Sequence, residues 1–191
     1  PGETRRTLKA FRVFLKHLLK DVRAFERMLD DDLFESGIRR IGAEQELFLV
    51  DPSWRPAPIA DTVLAAVADP HFTTELGRFN LEFNLDPLVF GGDCLSRIEA
   101  QISELLGRAR TAARAAGGEA VLVGILPTLA KTDLGLENMT PSPRYRALNE
   151  ALTRLRGGDY EFFLKGIDEL HLHHDSIMVE ACNASFQVHF Q

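Results

Sequence analysis

The sequence is poor in cysteine, has no glycine-rich phosphate-binding motif, and concentrates its cations nowhere. Its two cysteines, Cys94 and Cys182, stand far apart without CxxC spacing. Two such thiols in 191 residues argue against a disulfide scaffold and for a reducing compartment, the cytoplasm. Each reads as a small buried apolar residue. Neither GxGxxG nor GxxxxGK[ST] occurs, so neither of the two common nucleotide-binding turns is signalled. No apolar run is long enough to span a bilayer, and no signal peptide is visible. The 22 Lys and Arg residues form no basic block and the net charge is −6, so no nucleic-acid partner is expected. A local basic pocket for a ligand such as ATP remains compatible with that balance. There is no internal repeat and no low-complexity segment.

What is present suffices for one sizeable core: 45% of residues are apolar, and the 26% that are charged are well mixed. The start at Pro1, without an initiator Met, fits a trimmed N-terminus. Leu8, Phe11, Leu15, Leu18, Val22, Phe25 and Leu29 follow a 3,4,3,4 spacing and predict an amphipathic helix over 5–30. The stripe suits a dimer seam or a helix lying on its own domain. With about three heptads, the second reading is preferred. We therefore divide the chain into an N-terminal helical segment, 1–36, and a main domain, 37–191.

The main domain mixes strands and helices without a βαβ rhythm, which predicts an α+β fold with a largely antiparallel or mixed sheet flanked by helices. Strands are expected at 40–50, 78–87 and 119–126, and two more after 168. Helices are expected at 60–69, with Asp61 as N-cap, from Asp93 to Gly117, and from Pro143, with Ser142 as N-cap, to Gly157.

Three strands carry an unusual face. In AEQELFLV (43–50), Glu44 and Glu46 share a side with Phe48 and Val50, because alternate residues of a strand point the same way. Like charges so close repel unless a cation lies between them. In NLEFNLD (80–86), Asn80, Glu82, Asn84 and Asp86 share one side. In CNASFQVHFQ (182–191), Asn183, Ser185, Gln187, His189 and Gln191 share one side, opposite Cys182, Ala184, Phe186, Val188 and Phe190. An ordinary sheet with one wet side would mix in long cations and β-branched residues. These faces carry acids, amides and a His instead. Such a set suits hard cations: Mg²⁺ takes oxygen ligands and bridges carboxylates to phosphates, and a nearby His also tolerates Mn²⁺. The HLHH run at 171–174 puts His171 and His173 on one side, a possible Zn²⁺ pair, but no third ligand follows at a recognised spacing.

Taken together and in order, IGAEQELFLVD, TTELGRFNLEFNLDP, GILPTLAKTDLGLENMTPSPRYRALNEAL and NASFQVHFQ resemble glutamate–cysteine ligase family 2, in its bacterial carboxylate–amine ligase branch. The resemblance runs from about residue 37 to the end. It implies a fold similar to glutamine synthetase, with the active site on the inner face of the sheet. It also implies an ATP- and Mg²⁺-dependent ligase of the kind used in glutathione biosynthesis, in which ATP phosphorylates a substrate carboxylate and an amine attacks the acyl phosphate. By motif position it gives Glu44, Glu46, Glu75, Glu82 and His189 as metal ligands, with Glu44, Glu46 and Glu82 in the catalytic set. Arg78 and Gln187 are expected at ATP, and Asn183, Ser185 and Gln187 at the amino-acid substrates. Glu75 and Glu82 are seven residues apart and would face opposite sides of one unbroken strand, so Gly77 is expected to form a turn or bulge between them. Family members continue past the QVH strand. The resemblance therefore implies that this chain is the first half of a larger enzyme, inactive alone, with an exposed sheet edge that favours self-association. The competing readings are a non-catalytic, ligase-like binding or assembly module and, more remotely, a metal-dependent hydrolase.

Overall fold

A computed structural model describes the backbone of residues 2–191 and the side chains of residue 9 and residues 11–191. The chain divides into two compact units, Pro1–Arg39 and Arg40–Gln191. The first contains α1 (Gly2–Asp30). The helix stops at an aspartate run where Asp32 takes a positive φ of 51°, a conformation its short polar side chain tolerates. Phe34 then turns back onto Phe25, edge to face at 5.7 Å. Of the heptad-spaced stripe, Leu8 lies outside the described side chains, and Phe11, Leu15, Leu18, Val22, Phe25 and Leu29 are exposed.

The second unit is α+β. Its centre is the long strand β1 (Arg40–Val50), paired antiparallel on one side with β3 (Asn80–Asn84) and β4 (Leu88–Val89), and on the other with β5 (Glu119–Val121) and β8 (Phe186–Phe190). β2 (Phe72–Thr74) adds to the outer edge of β3 and completes a six-stranded sheet. β6 (Tyr160–Lys165) and β7 (Glu169–His174) form a separate two-stranded hairpin. Among the described residues every strand pair is antiparallel.

The alternation of β1 explains how one strand serves two purposes. Its odd-numbered side, Ile41, Ala43, Leu47 and Leu49, is buried together with Leu81, Phe83 and Leu85 under the helices α2 (Ala60–Val67) and α3 (Cys94–Ala115), which contribute Val63, Ile98, Leu105 and Ala109. Its even-numbered side changes character along the strand. Glu44 and Glu46 are partly exposed. Phe48 and Val50 enter a second core with Leu76, Phe79, Leu126, Leu134, Ile177 and Met178, and Phe48 stacks on Phe79 at 6.4 Å. This second core seals one end of the acidic face. α4 (Pro143–Arg156) begins with Pro143 and is closed by Gly157 at φ +74°, the left-handed position that glycine favours.

Five details differ from the sequence expectation. The strand expected over 78–87 is shorter: β3 covers 80–84, and β2 precedes it as a partner. Ile59, not Asp61, occupies the N-cap of α2; Asp61 lies in the first turn, where its charge favours the helix dipole and pairs with Arg78 at 3.6 Å. β5 stops at Val121, because beyond Phe48 the same side of β1 is taken by β8, and Ile125 bridges to Asn183 instead. Cys182–Gln191 is not one strand: 177–182 form a 3₁₀ turn capped by the Ser176 hydroxyl, and β8 starts only at Phe186. Finally, β6 follows Gly157–Gly158 where no strand was expected.

Candidate metal and active site

The sheet register builds the site. In the β1–β3 pair Glu46 lies directly opposite Glu82, and Glu44 opposite Asn84. In the β1–β8 pair Glu44 lies opposite Gln187, and Gly42 opposite His189. Cross-strand partners share a face. The acids of β1 and β3 and the amide and imidazole of β8 therefore converge on one side of the sheet.

Glu75 joins them through topology. β2 and β3 pair Thr73 with Glu82 and Thr74 with Leu81. Extended by one residue, this register sets Glu75 beside Asn80, on the same side as Glu82. The odd spacing of seven is accommodated because the two acids stand on either arm of a turn, not on one strand. Gly77 lies in that turn, packed so closely that an added Cβ would meet the Asn80 carboxamide and approach Ala181 to 3.0 Å. Thr140 fixes the turn from outside, its N–H donating to the Leu76 carbonyl at 2.8 Å and its hydroxyl to the Glu75 carbonyl.

The result is a cluster in which carboxylate oxygens of Glu46, Glu75 and Glu82 all lie within 4.8 Å of one another. Glu46 is oriented by the Ser185 N–H at 2.8 Å and the Gln187 amide at 3.2 Å, and Glu82 accepts from the Asn84 amide at 2.7 Å. None of the three carboxylates has a Lys, Arg or His ion-pair partner among the described residues. Burial, with the Glu82 and Glu46 carboxylates beside it, pushes the Glu75 pKa up to about 7. The Tyr145 hydroxyl, donating to the Thr74 carbonyl at 3.3 Å, is also raised, by burial and by Glu75. A partly buried carboxylate triad without a cation, one member driven toward its protonated form, has the donor set and the charge deficit that a divalent hard cation satisfies. The residues present fit Mg²⁺.

Glu44 stands apart from this triad and pairs with His189 Nε2 at 3.3 Å. The five expected ligands thus separate into Glu46, Glu75 and Glu82 on one hand and the Glu44–His189 pair on the other. Gln187 and Ser185 touch Glu46, so their visible role is to hold a carboxylate. Asn183 follows the 3₁₀ turn and lies outside β8. Arg78 lines a separate open cleft of about 490 Å³ with Thr140, Ser142, Arg146 and Asn149, and ion-pairs with Asp61. Two side chains near the triad were not anticipated in these roles. Asn80 is almost fully buried with neither amide atom bonded. Tyr145 reaches the β2 edge from α4, and only its place in the PSPRY turn segment marks it in the sequence.

An open antiparallel sheet with helices on one face and a cluster of three carboxylates on the other defines an α+β protein with a site suited to a divalent cation. Residues 40–191 match the family model described as glutamate-cysteine ligase family 2, and the chain belongs to that family. Membership carries a ligase type of function. Comparison with curated proteins and with solved structures gave no match. Among the described residues no helix is long and apolar enough to cross a membrane.

Proposed function

We propose that this chain carries the acidic metal-binding site of an ATP- and Mg²⁺-dependent carboxylate–amine ligase of the glutamate–cysteine type. The observation that supports this most directly is the Glu46–Glu75–Glu82 triad, whose third charge is unfavourable without a cation, in a chain of this family. Glu46, Glu75 and Glu82 would hold Mg²⁺, with Glu44 and His189 available at its edge. The ion would supply charge neutralisation for the ATP phosphates and the developing acyl phosphate.

In the reaction, a substrate carboxylate oxygen attacks the γ-phosphorus of ATP, giving an acyl phosphate and ADP. The amine then attacks the acyl carbon, loses a proton and expels phosphate, leaving an amide. The chain's own residues contribute position. Ser185 and Gln187 fix the rotamer of Glu46, Asn84 fixes Glu82, and the packed turn at Gly77 fixes Glu75. His189 is 54% exposed on the same sheet face, within reach of a ligand over Glu44. Glutamate as the carboxylate and cysteine as the amine are the substrates that the family description suggests. The unpaired thiols of Cys94 and Cys182 support a cytoplasmic setting.

The test is ADP release by the full-length protein with ATP, Mg²⁺, glutamate and cysteine, followed by other amino-acid pairs. Turnover that Glu82→Gln abolishes is the expected result. Absence of ADP release with every pair would overturn the proposal.

A further inference from the structure

The β6–β7 hairpin carries a second cluster that the ligase reading does not use. Its register places Glu161 opposite His173 and Phe163 opposite His171, so Glu161, His171 and His173 lie on one face of the ribbon. One ligand atom from each lies within 4.8 Å of the other two. His171 Nε2 is 2.6 Å from Glu161 Oε1, His173 Nε2 is 3.8 Å from the same oxygen, and the two imidazole centroids are 4.7 Å apart.

We propose that Glu161, His171 and His173 form a binding site for a borderline transition-metal cation of the Zn²⁺ class, distinct in chemistry from the all-oxygen triad. Two imidazoles and a carboxylate are the donors that such a cation prefers over Mg²⁺. Ligand bonds of about 2.0–2.1 Å in a tetrahedron set donor atoms about 3.3 Å apart. The two separations to Glu161 Oε1 bracket that spacing and the third pair of donors lies within 4.8 Å, a set that rotation of exposed side chains can bring to it. The three side chains are roughly half exposed, which leaves room for a water as fourth ligand and an open path for the ion. Phe163 packs edge-on against His171 at 6.1 Å and limits how the ring can turn.

The site also answers a structural need. Phe163, Leu164, Ile167 and Leu170 are exposed, and a two-stranded ribbon is marginal by itself. At its base the ribbon is anchored by the buried His174, which bonds to Ser176, and by Tyr160, which packs on the second core. A cation joining Glu161 of β6 to two residues of β7 cross-links the strands further out.

The test is calorimetric titration of the tag-free, chelator-treated protein with Zn²⁺ in the presence of excess Mg²⁺. One equivalent is expected to bind, with affinity falling about tenfold or more in His171→Ala and in His173→Ala. Glu46→Gln and Glu82→Gln should leave it unchanged. Hydrogen exchange of the amides over 160–174 should slow on adding Zn²⁺. Histidine ring resonances of the unmutated chain provide a readout free of any folding defect in the variants: two imidazoles should shift together at one equivalent. Absence of binding, retention of full affinity in the double histidine variant, or loss of the site with Glu82→Gln would each overturn the proposal.

Discussion

At the scale of the residue, the acidic site depends on which atoms hold Glu46. Its two visible donors differ in kind: Ser185 uses its backbone N–H, Gln187 its side-chain amide. Removing the Ser185 hydroxyl leaves the stronger contact in place and costs only a 3.3 Å bond to Gln187. Removing the Gln187 amide frees one carboxylate oxygen to rotate away from Glu82. Gln187→Ala should therefore weaken Mn²⁺ or Mg²⁺ binding about tenfold, and Ser185→Ala much less, as read by competition against Mn²⁺ in electron paramagnetic resonance. Equal effects of the two would show that Gln187 does not position Glu46. Glu75 offers a second check. Its pKa near 7 arises first from burial and then from Glu82 and Glu46. In Glu82→Gln one repelling charge disappears while burial stays, so the Glu75 carboxyl resonance should titrate at lower pH yet still above the ordinary glutamate range. No change on losing Glu82 would mean that burial alone sets it.

At the scale of the element, the β2–β3 turn converts a sequence spacing into a site. Gly77 is conformationally ordinary, so the demand at this position is space: Ala181 Cβ and Phe79 Cε2 would lie 3.0 and 3.2 Å from a new methyl group. Gly77→Ala should cost about 1–3 kcal/mol in chemical denaturation and should also reduce divalent-ion affinity, because relief of the clash moves Glu75 relative to Glu82. Stability lost without any change in affinity would separate the turn from the site. The same turn shows what was legible in the sequence. Alternation in AEQELFLV and NLEFNLD placed Glu44, Glu46 and Glu82 on faces that the structure brings together, because side-chain direction in a strand follows from parity alone. Strand ends were not legible in this way. The Cys182–Gln191 alternation starts on the last residue of a 3₁₀ turn and crosses 183–185 before β8 begins, so the pattern alone does not show where the strand starts. Glu161 escaped notice for a related reason. YEFFLK follows two glycines and precedes the HLHH strand, but only the hairpin register reveals that Glu161 faces His173. The division of the acids into a triad and a Glu44–His189 pair was not legible either, because it depends on cross-strand distances and not on parity.

At the scale of the whole molecule, the uncompensated triad links folding, pH and metal. The folded pKa of Glu75, about 7, lies above its unfolded value of 4.5, so between these pH values the folded chain holds a proton that the unfolded chain has released. Stability from this group is therefore greatest at and below pH 4.5 and falls as pH rises through about 7. His71 acts in the same direction. Its bond to Asp69, with a further contact to Asp86, raises its pKa above 6.5, and the stability this brings is lost as pH rises through that folded value. Asp69, Glu119 and Glu161 have lowered values, and their contributions disappear only in acid, below the window of interest. The metal-free protein should thus unfold more easily at about pH 8 than at about pH 5.5, by two separable contributions. Glu75→Gln, a neutral isostere, removes the first and should stabilise the metal-free chain at about pH 8 by about 1–2 kcal/mol, after allowance for partial solvent screening. It leaves the His71 contribution intact. Mg²⁺ should raise the denaturation midpoint of the unmutated protein more at the higher pH, where it replaces the proton that Glu75 has lost, and should raise that of Glu75→Gln much less. If Mg²⁺ stabilised both proteins equally at both pH values, the ion would be binding elsewhere, and the triad would be an acidic surface without a metal.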